Sequence, residues 1–385
     1  MNKKYKIKIS DLLFYIAYSF YLISCFLVTT TFNKIIVNDI VKVLDILTIL
    51  ILFMKILLSR YKRSTFLILS ILTLMTFISY IFNFYYILLF IILFIIASKD
   101  IELEKCTKIY FILISVLLTF TVICSKIGII ENLIYYRNNT QTYRQSFGII
   151  YPTNFAAYLV YLILAYVYIR KDKLKVIDYL IFILCMYISY HYCDARLDSI
   201  TIILISIFCI FKNVIQKCLN NSKIVRLIFE YLFLICASLT IFFTLNYNST
   251  SKFYQSIDHA FSGRLSIGHN MINEYGISLF GQNIILNGWG GKTEYSYDYV
   301  YNYIDSSYIR ILLLYGIIIF IFAVIGNIYI AKKAIKKNDI YLIIILSIIS
   351  INSIVAQHYM DFSYNFLLII YLSKYLKSEN QTKIE

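Results

Sequence analysis

The stretch STFLILSILTLMTFISYIFNFYYILLFIILFIIAS, residues 64 to 98, holds no charged side chain, no glycine and no proline. An α-helix rises about 1.5 Å per residue, so as one helix this run would far outreach the ~30 Å hydrocarbon core of a bilayer. It must fold into a hairpin, and Asn83 near its middle is the turn-forming residue at which it divides. Basic segments flank it, SRYKRS before and KDIELEKCTK after. A hairpin returns both flanks to one side, where basic residues of membrane proteins collect.

The pattern extends to the whole chain. Its 385 residues are 60% hydrophobic and only 15% charged, with a mean hydropathy of +0.74; soluble domains carry about 25% charge. Continuous apolar runs, without the alternation of barrel strands, predict an all-α polytopic membrane protein forming one transmembrane domain over 1–385. Twelve transmembrane helices are expected, at 12–32, 43–58, 65–81, 83–98, 108–126, 150–169, 176–192, 197–212, 224–245, 306–330, 340–357 and 362–376. The eight cysteines lie mostly inside these runs without a C-x-x-C pair, and read as small hydrophobes. The basic start MNKKYKIKIS leads into an apolar run with no small-residue cleavage site, so the first run reads as a retained span.

Net charge is +15. Nucleic acid is not the expected partner, because the cations follow topology. With the N-terminus in the cytoplasm, the inward segments KKYKIK, SRYKRS, KDIELEKCTK, RKDKLK, Lys212 to Arg226, AKKAIKKND and the tail hold 25 of the 36 lysines and arginines. Both termini are then cytoplasmic. The same arrangement puts all four histidines, Pro152 and Trp289 on the outer side. Two outer loops are long, 127–149 and the larger 246–305 before the tenth span, and the second is expected to fold against the membrane with an amphipathic helix near 264–278.

Charges at the outer span ends are the candidates for chemistry. Arg196 stands in CDARLDS between Asp194 and Asp198; it reads either as a snorkelling side chain balanced by two carboxylates or as a phosphate ligand. Arg144 stands in TYRQSFGIIYPTNFAAYL, where Pro152 and Asn154 mark a helix start and leave the arginine without a local role. Arg264, in SGRLSIGHNMINEYGISLFGQNI, is either an exposed loop charge or a third anion ligand. Asp305 opens DSSYIRILLLYGIII and serves as an N-cap or, beside a substrate hydroxyl, as a general base. His269 and His191 are weaker candidates for the same proton transfer. The chain has no H-E-x-x-H, Walker A, G-x-G-x-x-G or cysteine ligand set, so no metal or cofactor is expected. A cationic, aromatic-rich outer pocket reached from the bilayer suits sugar rings and a lipid diphosphate.

Four of these stretches, RQSFGIIYPTNFAAYL, DARLDS, SGR with the later SLFGQ, and DSSYIRILLLYGII, taken in order and on one face, resemble the Wzy-type polysaccharide polymerases of the O-antigen polymerase/ligase superfamily. The resemblance covers most of the chain in topology. It implies a metal-independent glycosyltransferase of the GT-C class in the bacterial cytoplasmic membrane, using no cofactor. Such an enzyme transfers a growing glycan from undecaprenyl diphosphate to an incoming lipid-linked repeat unit, with a flippase and a chain-length regulator as partners. Carried to this chain, the resemblance implies Asp305, Arg264 and Arg196 as catalytic residues. Arg144, Arg196, Arg264, His269, Asn154 and Trp289 would bind diphosphate and glycan. The chain departs from the ligases in having Asp305 where they carry a histidine, and it has Tyr151 where a histidine often precedes the proline. A ligase acting on another acceptor and a lipid-linked-oligosaccharide flippase are the alternatives.

Overall fold

The computed structural model describes residues 8–35, 37–137, 142–292 and 300–376. The rest of the basic N-terminal segment, the 138–141 tip of the first predicted loop, residues 293–299 of the second and the tail from 377 lie outside the described residues. The helices are α1 (Ile9–Val28), α2 (Val37–Leu57), α3 (Arg63–Asn83), α4 (Ile87–Ala97), α5 (Leu103–Lys126), α6 (Pro152–Arg170), α7 (Val176–His191), α8 (Arg196–Ile210), α9 (Lys212–Asn221), α10 (Lys223–Leu245), α11 (Lys252–Ala260), α12 (Arg264–Tyr275), α13 (Ser307–Arg310), α14 (Gly316–Lys336) and α15 (Ile340–Asn352).

The uncharged run folds as the expected hairpin of α3 and α4. Phe84 takes a left-handed conformation (φ 58°) and returns its N–H to Tyr80 O at 2.8 Å. The Asn83 carboxamide sets the turn: its Oδ1 accepts from Tyr85 N–H at 2.8 Å and its Nδ2 donates to Ser79 Oγ at 2.9 Å. Asparagine turns a chain in this way because its side chain substitutes for a backbone partner.

Six stretches are long and apolar enough to cross a membrane: α1, α3, α5, α6 with its following turn, α10, and Ser307–Lys336. The bent pair α8–α9, broken by 66°, makes a seventh if it is counted as one span. The twelve expected spans are therefore not all present as such. α4, α7 and α15 are apolar but have 11, 16 and 13 residues, about 16 to 24 Å of helix. α2 carries Asp39, Lys42, Asp45 and Lys55 among its 21 residues. Burial separates the two uses of an apolar run. α15 is buried on nearly every side, as the core of a bundle is, whereas α3 exposes Phe66, Leu67, Ile68, Ile71 and Leu74, a face suited to lipid.

The expected final span, 362–376, is not an α-helix. His358–Met360, Phe366–Leu372 and Lys374–Leu376 form 3₁₀ turns. Short polar side chains compete with the helical ladder here. Asp361 Oδ1 accepts from Ser363 N–H and Oγ at 2.8 and 2.7 Å, and Asn365 Oδ1 accepts from Leu367 N–H at 3.1 Å. The first predicted outer loop likewise holds a two-stranded antiparallel hairpin, β1 (Ile134–Arg137) and β2 (Thr142–Gln145), which pairs Tyr135 with Arg144. In the second, the helix expected near 264–278 is α12, burying Leu265, Gly268, Met271 and Ile272.

A break in the last long span ties that second loop to the bundle. Between α13 and α14, Ile311–Tyr315 forms a π-helical turn, and Gly316 follows at φ 88°. Residues 278–282 lie against it: Ile317 N–H donates to Ser278 O at 3.0 Å, Ile318 N–H to Leu279 O at 3.2 Å, and Gln282 N–H to Leu314 O at 3.3 Å. Ser79 of α3 donates to both Phe280 O, at 2.7 Å, and Tyr315 O, at 3.0 Å. The backbone groups freed by the break are thus satisfied within the protein, the condition for a broken helix inside an apolar bundle.

Candidate functional site

The candidate charges gather at the end of the bundle where α6, α8, α12 and α13 begin and where α10 and α15 finish. Arg264 is the first residue of α12. The preceding Gly263 takes φ 81°, and Asp258 caps the helix by accepting from Leu265 and Ser266 N–H at 2.9 and 3.1 Å. The guanidinium then bridges three segments: Nε donates to Val355 O at 2.6 Å, Nη1 to Phe261 O at 3.0 Å, and Nη2 lies 3.3 Å from Asp305 Oδ2.

Asp305 is not the cap of α13, one of its two expected roles. Ser306 holds the N-cap position, and Ser307 N–H donates to Ser353 O at 3.0 Å, so the start of α13 satisfies carbonyls at the end of α15. The carboxylate is left for Arg264. Burial pushes the Asp305 carboxyl above its ordinary value, and the charges of Arg264, Arg310 and Arg144 oppose that rise. Three guanidinium groups therefore act on one carboxylate.

Arg144 is 6% exposed and sits on β2. Its Nε donates to Cys193 O at 2.9 Å, its Nη1 to the Tyr151 hydroxyl at 3.3 Å, and the group lies 5.3 Å from the centre of that ring. Arg310 lies over the Tyr303 ring at 5.2 Å, donates to Ile304 O at 3.3 Å and bonds Gln357 Oε1. It also borders a cavity of about 160 Å³ whose polar wall includes Asn154, Tyr303, Gln357, His358 and Asp361. Burial pushes the His358 imidazole down to about 3, helped by the Arg310 charge, so the ring is neutral at ordinary pH.

Aromatic residues of the long loop lie near this group. Trp289 stacks on Tyr301 with ring centres 5.4 Å apart. Tyr301 in turn feels the charges of Asp305 and Arg264, and its hydroxyl is pushed up, first by burial and then by Asp305. Tyr303 packs against Gly288, where an added Cβ would come within 2.7 Å of the ring. The two loops meet where Gly291 N–H donates to Ile150 O at 2.9 Å and to the Tyr135 hydroxyl at 3.1 Å.

Of the residues expected from sequence, Arg264 and Asp305 pair, Arg144 lies within electrostatic reach of them, Asn154 lines the cavity beside Arg310, and Trp289 joins the group through Tyr301. Arg196 and His269 stand apart from them. Arg196 is half exposed, and its Nε donates to Asp194 at 3.1 Å, the balanced arrangement that was its simpler reading. Its neighbour Asp198 turns inward, buried within electrostatic reach of Arg264, Asp305 and Arg144. The ring nitrogens of His269 lie 3.0 Å from Thr244 O and 2.8 Å from Asn273 Nδ2, fastening α12 to the end of α10. His191 stacks on Tyr187 at 5.2 Å. Arg310, Tyr303, Gln357, His358 and Asp361 were not foreseen as site residues. Arg310 had a signal, since it shares the stretch DSSYIR with Asp305, five residues apart.

Among the described residues, no three His, Cys, Asp or Glu side chains are grouped to hold a metal ion. The arrangement offers fixed cations, one carboxylate of raised proton affinity, a polar cavity and nearby aromatic rings, which together fit an anionic ligand. No family model matches this chain, and neither does any curated protein or solved structure.

Proposed function

We propose that this chain is a membrane glycosyltransferase of the Wzy type. It polymerises lipid-linked oligosaccharide repeat units at the outer face of the bacterial cytoplasmic membrane. The observation that carries the reading is the Arg264–Asp305 ion pair, with Arg310 and Arg144 within electrostatic reach of the same carboxylate and Arg310 bordering a polar cavity, at one end of an apolar bundle.

In this reading the donor's diphosphate enters against Arg264 and Arg310 and displaces Asp305 from its ion pair. The bond between the anomeric carbon and the diphosphate oxygen breaks, and its electron pair leaves with the diphosphate. Preorganised guanidinium groups stabilise the charge that develops there, the largest single contribution in many enzymes. The acceptor sugar occupies the cavity bordered by Asn154 and His358. Its hydroxyl oxygen bonds to the anomeric carbon and its proton passes to Asp305, whose raised proton affinity suits a general base. Trp289 and Tyr301 offer ring faces to the glycan. Arg196, half exposed at the rim, steers the lipid-linked anion toward the site.

Electrophoresis of the glycan made in cells tests this. Wild-type chain should yield long polymer, and Arg264→Ala or Arg310→Ala, at matched membrane abundance, should yield single repeat units. Long polymer at normal yield from both variants would overturn the reading.

A further inference from the structure

The opposite end of the bundle carries a second opening, of about 260 Å³, between α9, the start of α10 and the end of α14. Arg226, Lys332 and Lys336 contribute three cations to its wall and Glu230 one carboxylate, leaving two positive charges in excess. Asn220 adds an amide donor, and Gln216 Nε2 donates to Asn220 Oδ1 at 3.3 Å and to Asn338 Oδ1 at 3.4 Å, which holds that wall together. Two of the cations are held in place. Lys332 Nζ donates to the Tyr231 hydroxyl at 2.9 Å and lies over that ring at 4.8 Å, and Arg226 Nη2 donates to Leu219 O at 3.3 Å, which leaves most of its fork unused. Among the described residues none of the three basic groups closes an ion pair.

The surroundings specify where the anion comes from. The 66° bend after α8 turns α9 out of line with its predecessor. Along α9, Val214, Ile215, Cys218 and Leu219 share one side, of which Ile215 and Leu219 pack into the bundle while Val214 and Cys218 stay exposed, and Lys212, Gln216, Lys217 and Asn220 share the other, so that the helix presents a narrow apolar edge beside its polar face. On α10 the neighbouring Ile224, Leu227 and Ile228 are exposed, by 71%, 43% and 45%. A cationic pocket thus opens beside an apolar surface suited to acyl chains, where a head group would be presented by the bilayer itself.

We infer that this pocket binds the phosphate head group of an anionic membrane lipid. The inference does not rest on the reaction proposed above. Phosphate suits the site because a guanidinium fork and two ammonium groups can share its oxygens.

Native mass spectrometry of the full-length chain in detergent tests it, with titration of phosphatidylglycerol, phosphatidylcholine or inorganic phosphate. The wild-type chain should retain phosphatidylglycerol in preference to phosphatidylcholine. The Arg226→Gln/Lys332→Gln variant should lose about five-fold of that preference for each charge removed. Lys105→Gln/Lys108→Gln, which removes the same charge elsewhere at this end, should leave it unchanged. Should the pocket variant fail to fold, Lys336→Gln, at an exposed position, is measured in its place and should lose about five-fold. Equal retention by the pocket variant and wild type, equal binding of the two lipids, or displacement of phosphatidylglycerol by inorganic phosphate at the same concentration would overturn the inference.

Discussion

Arg264 Nη2 lies 3.3 Å from Asp305 Oδ2, and this ion pair joins the first residue of α12 to the residue that leads into α13. With side chains only 16% and 28% exposed, the pair is partly withdrawn from water. Removing one member leaves the other charge poorly solvated. Arg264→Ala should therefore destabilise the protein by about 1–3 kcal/mol and Asp305→Ala by a similar amount. The double variant should cost clearly less than the sum of the two. Thermal unfolding in detergent measures all three, and strict additivity would mean that the pair contributes no coupling.

The pH dependence of activity should carry the mark of Asp305. Burial holds its carboxyl above the ordinary value and Arg264 pulls it down. The acidic limb of the profile should then lie above the usual carboxylate range of about 3.9. In Arg144→Ala this limb should move further up, because one of the opposing cations is gone. Stability follows the same sign. A carboxyl raised in the folded state contributes stability below its unfolded value and loses it as pH climbs through the folded one, so Asp305→Asn should gain on wild type with rising pH.

Gly281 and Gly316 are the contact at which the long loop meets the broken helix. A Cβ on Gly281 would stand 2.2 Å from Leu314 O, and one on Gly316 would stand 2.3 Å from Gly281 N. Both residues also have positive φ, 85° and 88°. Alanine at either should abolish the folded protein or cost more than about 3 kcal/mol. Gly276, at φ 69° and ψ 178° with nothing within 4 Å of its Cβ position, should cost backbone strain alone when replaced by alanine, about 1–3 kcal/mol. Folded yield by size-exclusion chromatography separates these cases.

Trp289 is the chain's one tryptophan, so emission from the protein reports the aromatic rings of the long loop directly. Addition of a lipid-linked repeat unit should shift that emission. Tyr301→Ala, which removes the ring stacked on Trp289, should raise KM for the repeat unit several-fold while changing kcat less, the pattern of lost binding rather than lost chemistry.

Local signals in the sequence are legible where one element determines them. Asn83 marks the α3–α4 turn because its own side chain makes that turn, and Pro152 opens α6 because proline suits a first helical turn. The span count was harder. The Ile and Leu of α15 look alike in sequence whether the helix faces lipid or, as here, α6, α8, α9, α10 and α14, and only packing tells the two apart. The 3₁₀ turns of 358–376 depend on Asp361 and Asn365 capturing backbone groups a few residues away, and an apolar run conceals this. Arg264, Asp305 and Arg144 could be selected as unexplained charges at span ends. Their meeting is a tertiary fact, and so is the assignment of Arg196 to Asp194. Arg310 does not stand out in sequence, because every residue around it in YIRILL is aliphatic or aromatic.

The most direct measurement gives the purified chain in detergent one undecaprenyl-diphosphate-linked repeat unit and resolves the products by size. A ladder of glycan lengths, lost in Arg264→Ala, is the predicted result. Repeat units recovered unchanged would contradict the account.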